Sequence, residues 1–183
     1  KAVPVNKIDH KDTKILASSN FKFAASDNYC PIVGVELPKI LKQSPIAFIK
    51  VDDGSFKVVA LQGLLEKTNN FVDSKGAWRS NYIPALYRLK PFLLGVRDDS
   101  KTKVVCLDEA SNLVSHDNNV KSNALFDSKS EPTEYFKKVI EFLKGYESSK
   151  QVTEKALDVL NEVEVLELWD LKIKVKDKSQ KIE

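Results

Sequence analysis

Residues 46–64 read IAFIKVDDGSFKVVALQGL, and this pattern sets the fold class. Two runs rich in β-branched and aromatic residues flank Asp52, Asp53, Gly54 and Ser55. An Asp-Gly pair between such runs supplies the positive-φ backbone that a tight antiparallel turn requires, so a β-hairpin is expected here. The same grammar returns in PFLLGV (residues 91–96) and TKVVCLD (residues 102–108), joined by a polar turn over residues 97–101.

Toward the N-terminus the apolar patches 3–5 and 15–17, separated by charge, read as an extended arm or edge strand. Residues 32–37 are apolar except for Gly34 and Glu36 and lie between Pro31 and Pro38, which predicts a buried strand carrying one carboxylate. Residues 82–89 have the length for two helical turns.

Toward the C-terminus the period changes. Pro132 suits a first helical position, with Glu131 and Glu134 placed to complement the helix dipole. Phe136, Val139, Ile140 and Leu143 recur at i, i+3, i+4 and i+7, which predicts an amphipathic helix to about Tyr146. Gly145, Ser148 and Ser149 predict a bend, and Val152, Ala156, Val159, Leu160 and Val163 a second helix. Leu171, Ile173 and Val175 alternate with lysines, as in a strand. The expected fold is therefore α+β: antiparallel β-hairpins forming a sheet, with a C-terminal helical hairpin packed on it, in a single domain over residues 1–183.

A chain of 183 residues that is 42% hydrophobic can bury a core without disulfides or metal. Its 29 basic and 26 acidic residues are interleaved, which argues against a nucleic-acid partner, since phosphate binding needs a clustered basic surface. The one basic run, residues 172–181, is interrupted by Asp177 and apolar residues and reads as a solvated face. No apolar run is long enough to insert in a membrane. Cys30 and Cys106 have no paired spacing and are expected as buried free thiols. These features predict a cytoplasmic protein.

No phosphate loop, dinucleotide glycine pattern, nucleophile elbow or paired-His zinc motif occurs, so no cofactor or metal is expected. His10 and His116 both lie in polar stretches and are expected at the surface. Cys106, Asp108 and His116 can be written as a nucleophilic set, and Asp108, Glu109 and His116 as metal ligands, but no spacing specifies either geometry. The distinctive stretch is 69–92, which holds Phe71, Trp78, Tyr82, Tyr87 and Phe92 with Arg79 and Arg88. With Arg97 these are the chain's three arginines, all within 19 residues of a sequence that otherwise uses lysine. An acid such as Glu36 in an apolar segment must be protonated, paired or at a cleft wall, and Arg88 or Arg79 is its expected partner. Glu36, Asn70, Trp78, Arg79, Tyr82 and Arg88 are thus the expected ligand- or partner-binding residues. The alternative is an enzyme in which Glu36 and Asp108 do acid/base work in a pocket bounded by that stretch.

The succession NYCPIVGVELPK, SPIAFIKVDDGSFKVVALQGL, NNFVDSKGAWRSNYIPALYRLKPFLLG, VVCLDEAS and ALFDSKSEPTEYFKKVIEFLKGYE closely resembles the SapC family of bacterial proteins. The most specific parts are Glu36-Leu37-Pro38, Trp78 followed by Tyr82-Ile83-Pro84, Arg88-Leu89-Lys90-Pro91-Phe92, and Leu125-Phe126-Asp127. Order and spacing agree over residues 3–171, and because family members usually continue past the last residue here, a longer parent chain is expected. The resemblance carries no activity over residue by residue. It implies a surface-layer link by gene context, and an accessory role in modifying a peptide or aromatic substrate, with a protein or peptide partner. The permease label borne by some relatives does not suit a chain lacking a membrane-length apolar run.

Overall fold

The computed structural model describes residues 2–17, 19–97, 102–117, 122–167, 169, 171–175 and 178–182. In chain order its strands are β1 (Ala2–Pro4), β2 (Lys14–Leu16), β3 (Tyr29–Pro31), β4 (Ile46–Lys50), β5 (Phe56–Leu61), β6 (Phe92–Val96), β7 (Lys103–Asp108), β8 (Val114–Ser115), β9 (Ser122–Ala124), β10 (Leu171–Val175) and β11 (Lys178–Ile182). Its α-helices are α1 (Leu37–Ile40), α2 (Ala85–Arg88) and α3 (Glu134–Glu162). Among the described residues every strand pairing is antiparallel, and the class is α+β. The chain divides into two compact units, one of residues 1–19 and 85–148, the other of residues 20–84 and 149–183.

In the first unit, β6 and β7 form the expected second hairpin, with Leu93 opposite Cys106 and Gly95 opposite Val104. Of the turn expected over residues 97–101, residues 98–101 lie outside the described residues, and the Arg97 N–H donates to the Thr102 carbonyl at 2.9 Å. The N-terminal arm docks as β1 on the free side of β7, giving the order β1-β7-β6. A second sheet, β8-β2-β9, uses the patch around Ile15 as its centre. Ile15, Leu89, Phe92, Leu107, Leu125, Phe126, Phe136 and Leu143 form the core. Burial of these side chains, at roughly 1.5–3 kcal/mol each, is what holds the unit together.

The second unit contains the hairpin read from residues 46–64. Gly54 sits at φ +84°, and Asp53 Oδ1 accepts the Ser55 N–H at 2.9 Å, which closes the turn. The two hairpins therefore belong to separate three-stranded sheets and do not form one sheet, because β5 pairs on its other side with β3. β10 and β11 make a further hairpin, so the strand periodicity at 171–175 is borne out. The lysine side chains of the run 172–181 lie outside the described residues.

Residues 32–37 are not a strand. The strand ends at Pro31, the backbone is still extended at Val33, and a single 3-10 turn, Gly34–Glu36, then leads into α1. Pro38 in the first turn of α1 has the φ a helix start needs, and its missing N–H is no loss there. Burial of Glu36, at 2% exposure, is as expected for an acid in this apolar segment.

The expected helical hairpin is likewise corrected: α3 runs unbroken for 29 residues. It begins two residues later than Pro132 suggested, with the Thr133 hydroxyl accepting the Phe136 N–H at 3.2 Å as a cap. Gly145 costs a helix only about 1 kcal/mol. Phe136 and Leu143 on one side of it and Leu157 on the other are buried and hold both halves helical. Thr153 satisfies itself within the helix by donating to the Ser149 carbonyl at 2.7 Å. Nothing lies within 4 Å of a β-carbon built on Gly145. Gly145→Ala should therefore raise stability by about 0.5–1 kcal/mol in urea unfolding. A loss would restore the bend.

Candidate functional site

The aromatic stretch folds as a short looped ribbon in the second unit. The Val72–Trp78 bridge and the bond from the Arg79 N–H to the Phe71 carbonyl, at 2.8 Å, set its register. Asp73 makes the turn, its Oδ1 accepting the N–H groups of Lys75 and Ala77 at 2.9 Å each. Gly76 is required there: φ is +89°, and an added β-carbon would lie 2.3 Å from Asn20 Oδ1. The ribbon places the Trp78 ring 5.6 Å from Phe71 in a stack inclined at 17° and 5.7 Å from Phe21 edge-on. Trp78 is thereby tied into an aromatic cluster.

From the ribbon the chain reaches Tyr82, the hub of the site. The Tyr82 carbonyl accepts both Trp78 Nε1–H at 3.0 Å and Gln43 Nε2–H at 2.9 Å. Gln43 Oε1 accepts the Tyr82 N–H at 3.2 Å and the Ser80 hydroxyl. The Tyr82 hydroxyl donates to Glu36 Oε1 at 3.0 Å, while Glu36 Oε2 accepts the Val33 N–H at 3.0 Å. Lys39 Nζ lies 5.3 Å from the Tyr82 ring centre, a cation–π distance. Two donors of different origin thus hold one buried carboxylate. A small open cleft, with room for about one water, lies beside this network, walled by Gln43, Ser44, Gln62, Phe71, Trp78 and Tyr82.

The structure sorts the expected site residues into two kinds. Glu36, Trp78 and Tyr82 come together and build the cleft's support. Asn70 and Arg79 are exposed on the same ribbon. Arg79 is 64% exposed and meets Asp73 at 3.8 Å, so its expected pairing with Glu36 is replaced by a turn-spanning pair. Arg88 belongs to the first unit, where its guanidinium sits 4.7 Å from the Phe142 ring centre. Sequence reading overlooked Gln43, Gln62 and Asn69. The buried member of the Asn69-Asn70 pair is Asn69, which donates to the Ala24 carbonyl and to Gln62 Oε1 at 2.9 Å each. Its Oδ1 accepts the Phe71 N–H, an Asx turn that Asn before an aromatic ribbon could have signalled.

The other candidate chemistry is placed as follows. Cys30 and Cys106 are buried free thiols, as read. His116 is exposed, and Cys106 is only 6% exposed. His10 is not at the surface but 3% exposed. Asn6 folds the preceding loop by accepting the Ile8 and Asp9 N–H groups, and the Asn6 N–H donates to His10 Nδ1 at 3.3 Å. Glu36 and Asp108 belong to different units. Among the described residues no group of three or more His, Cys, Asp or Glu side chains gathers as a metal site.

The turn acid has a pH consequence. The Ala77 N–H chiefly, then the Lys75 N–H and the Arg79 charge, hold the Asp73 carboxyl below its ordinary value of 3.8, against a smaller opposing effect of burial. A depressed carboxylate stabilises the fold above its unfolded value, and that contribution fades as pH falls through the folded value. Asp73→Asn should therefore be less stable than the parent near about pH 7, with the gap closing toward about pH 3. Urea midpoints at the two pH values check this, and a gap that widens in acid refutes it.

Small antiparallel sheets, a single long helix and an aromatic-walled cleft over a buried carboxylate define an α+β protein. Among the described residues, no helix is long and apolar enough to cross a membrane. The chain belongs to the SapC family, whose model matches residues 5–183. No curated protein and no solved structure matches it.

Proposed function

We propose that this SapC-family chain is a non-catalytic accessory protein of the cytoplasm that holds a segment of a protein or peptide partner at the cleft beside Tyr82. The observation that carries the reading is the state of Glu36, whose two oxygens are each engaged by a donor of the fold. An acid so engaged orients a wall; a general acid or base must be able to turn to a substrate proton. The cleft has room for about one water, far less than small-molecule sites usually offer, so a partner segment is held across its rim and not inside it. Asn70 and Arg79, both exposed at its ribbon, are the groups able to touch such a segment without being needed for the fold.

The partner class we infer is a surface-layer protein or a peptide undergoing modification, on the strength of the family's gene context. The test is titration of labelled surface-layer protein from the same cell against the parent and an Asn70→Ala/Arg79→Ala variant. The reading expects binding by the parent, about tenfold weaker in the variant, with unchanged circular dichroism melts. No binding by the parent, or equal binding by both, removes it.

A further inference from the structure

The sheet β3-β5-β4 leaves β4 at an edge. Two bonds fix which way that strand's backbone points: the Val51 N–H donates to the Ser55 carbonyl and the Leu61 N–H to the Pro45 carbonyl, both at 2.9 Å. In an antiparallel pair, successive residues turn their N–H and carbonyl alternately toward the neighbouring strand and away from it. Ala47 and Ile49 therefore point at β5, and Ile46, Phe48 and Lys50 point outward. Among the described residues, no hydrogen bond reaches those three outward N–H groups and carbonyls.

The same alternation shows how other edges are blunted. On β3 the bond from the Ile32 N–H to the Val58 carbonyl turns Pro31 outward, where it has no N–H to offer. In the sheet β1-β7-β6, Pro4 lies outward on β1, and the outward N–H of Phe92 on β6 is taken by the Leu89 carbonyl at 2.7 Å. Of these four edges, only β4 carries neither device over its five residues, and its Phe48 side chain is 46% exposed. An open apolar edge recruits another strand.

The strand that fits is β4 itself. Its outward residues are symmetric about Phe48, so two copies running antiparallel across a two-fold axis set Phe48 against Phe48 and Ile46 against Lys50 on either side. Every outward N–H and carbonyl then meets a partner. Lys50 is the strand's one charge, and facing Ile46 it opposes no like charge. The Phe48 rings become a cross-strand aromatic pair. We propose that β4 is a dimer interface, which joins the β3-β5-β4 sheets of two copies of this chain into one continuous sheet. A five-residue pairing is a small contact, so the dimer exchanges readily with monomer.

Sedimentation velocity of the full chain from about 1 μM to about 1 mM should pass from monomer to dimer. Phe48→Lys and Phe48→Glu each change a half-exposed side chain that belongs to neither core cluster, and each sets like charges against one another across the axis. Either variant alone should dimerise at least about tenfold more weakly than the parent. An equimolar mixture of the two should recover the parent's dimerisation, because this alignment places residue 48 against residue 48. Amide exchange in the parent needs no variant: the Ile46, Phe48 and Lys50 N–H groups should become protected as concentration rises, while those of Ala47 and Ile49 stay protected throughout. A parent that is monomeric over the whole series overturns the proposal and leaves the edge to a strand of another protein. It is equally overturned by a charged variant that dimerises at full strength, by a mixture no tighter than its components, or by exchange at the outward amides that ignores concentration.

Discussion

Trp78→Ala is expected to cost about 3–5 kcal/mol of stability, the range for removing a packed aromatic side chain. The ring is stacked on Phe71 and meets Phe21 edge-on, and its Nε1–H is bonded to the Tyr82 carbonyl. Truncation leaves a void between two phenylalanines and removes one of the two donors to the Tyr82 carbonyl at the hub of the site. Trp78→Phe retains the stack and loses the hydrogen bond, so its loss should be near about 1 kcal/mol. The ratio between the two variants is the informative quantity. Were alanine and phenylalanine equally mild in urea unfolding, Trp78 would not anchor the ribbon, and its place among partner-touching residues would be restored. This expected result explains why Asn70 and Arg79, and not Trp78, are the variants suited to testing binding.

The legibility of this fold depends on how local each cue was. Gly54 and its preceding aspartates state their own turn, and both hairpins were readable from residues adjacent in sequence. What was not readable was which sheet each hairpin joins, because β5 pairs with β3 across a separation no local pattern encodes. Residues 32–37 misled because an apolar run is equally compatible with a strand and a buried turn; Pro38, read as an end, was a helix beginning. Gly145 misled in the opposite sense. A glycine in a helical pattern suggests a break, yet buried residues on both sides of it outweigh its small local cost.

The site was legible in its residues and not in its geometry. Glu36, Trp78 and Tyr82 were each singled out, but arginine was expected to meet the acid, since a cation is its obvious counterpart. Tyr82 reaches Glu36 within the second unit, while Arg79 is taken up by a turn aspartate made in its own ribbon. Gln43 escaped notice because nothing in its surroundings, LKQSP, distinguishes an amide that holds a distant backbone from one that faces water. The valine stripe of α3 shows the same limit: periodicity located the apolar face, and only tertiary packing decided that Leu157 would be buried in its stead.

Glu36 offers the second large effect, and it separates a structural acid from a catalytic one. Glu36→Ala strands the Val33 N–H and the Tyr82 hydroxyl in a buried setting, and each unmet buried donor costs about 1–3 kcal/mol, so a total loss of about 2–4 kcal/mol is expected. Glu36→Gln should be far milder. Its carbonyl can still accept the Val33 N–H, and its amide can donate to the Tyr82 oxygen once that hydroxyl rotates. Tyr82→Phe removes the other end of the same bond, so Glu36→Ala and Tyr82→Phe should be markedly non-additive, with a coupling of about 1–2 kcal/mol in a double-mutant cycle. If glutamine proves as damaging as alanine, the negative charge itself is required there, and the acid is more than a hydrogen-bonded wall. If the cycle is additive, the bond between Tyr82 and Glu36 does not hold the site together, and the cleft loses the link that ties the aromatic ribbon to α1.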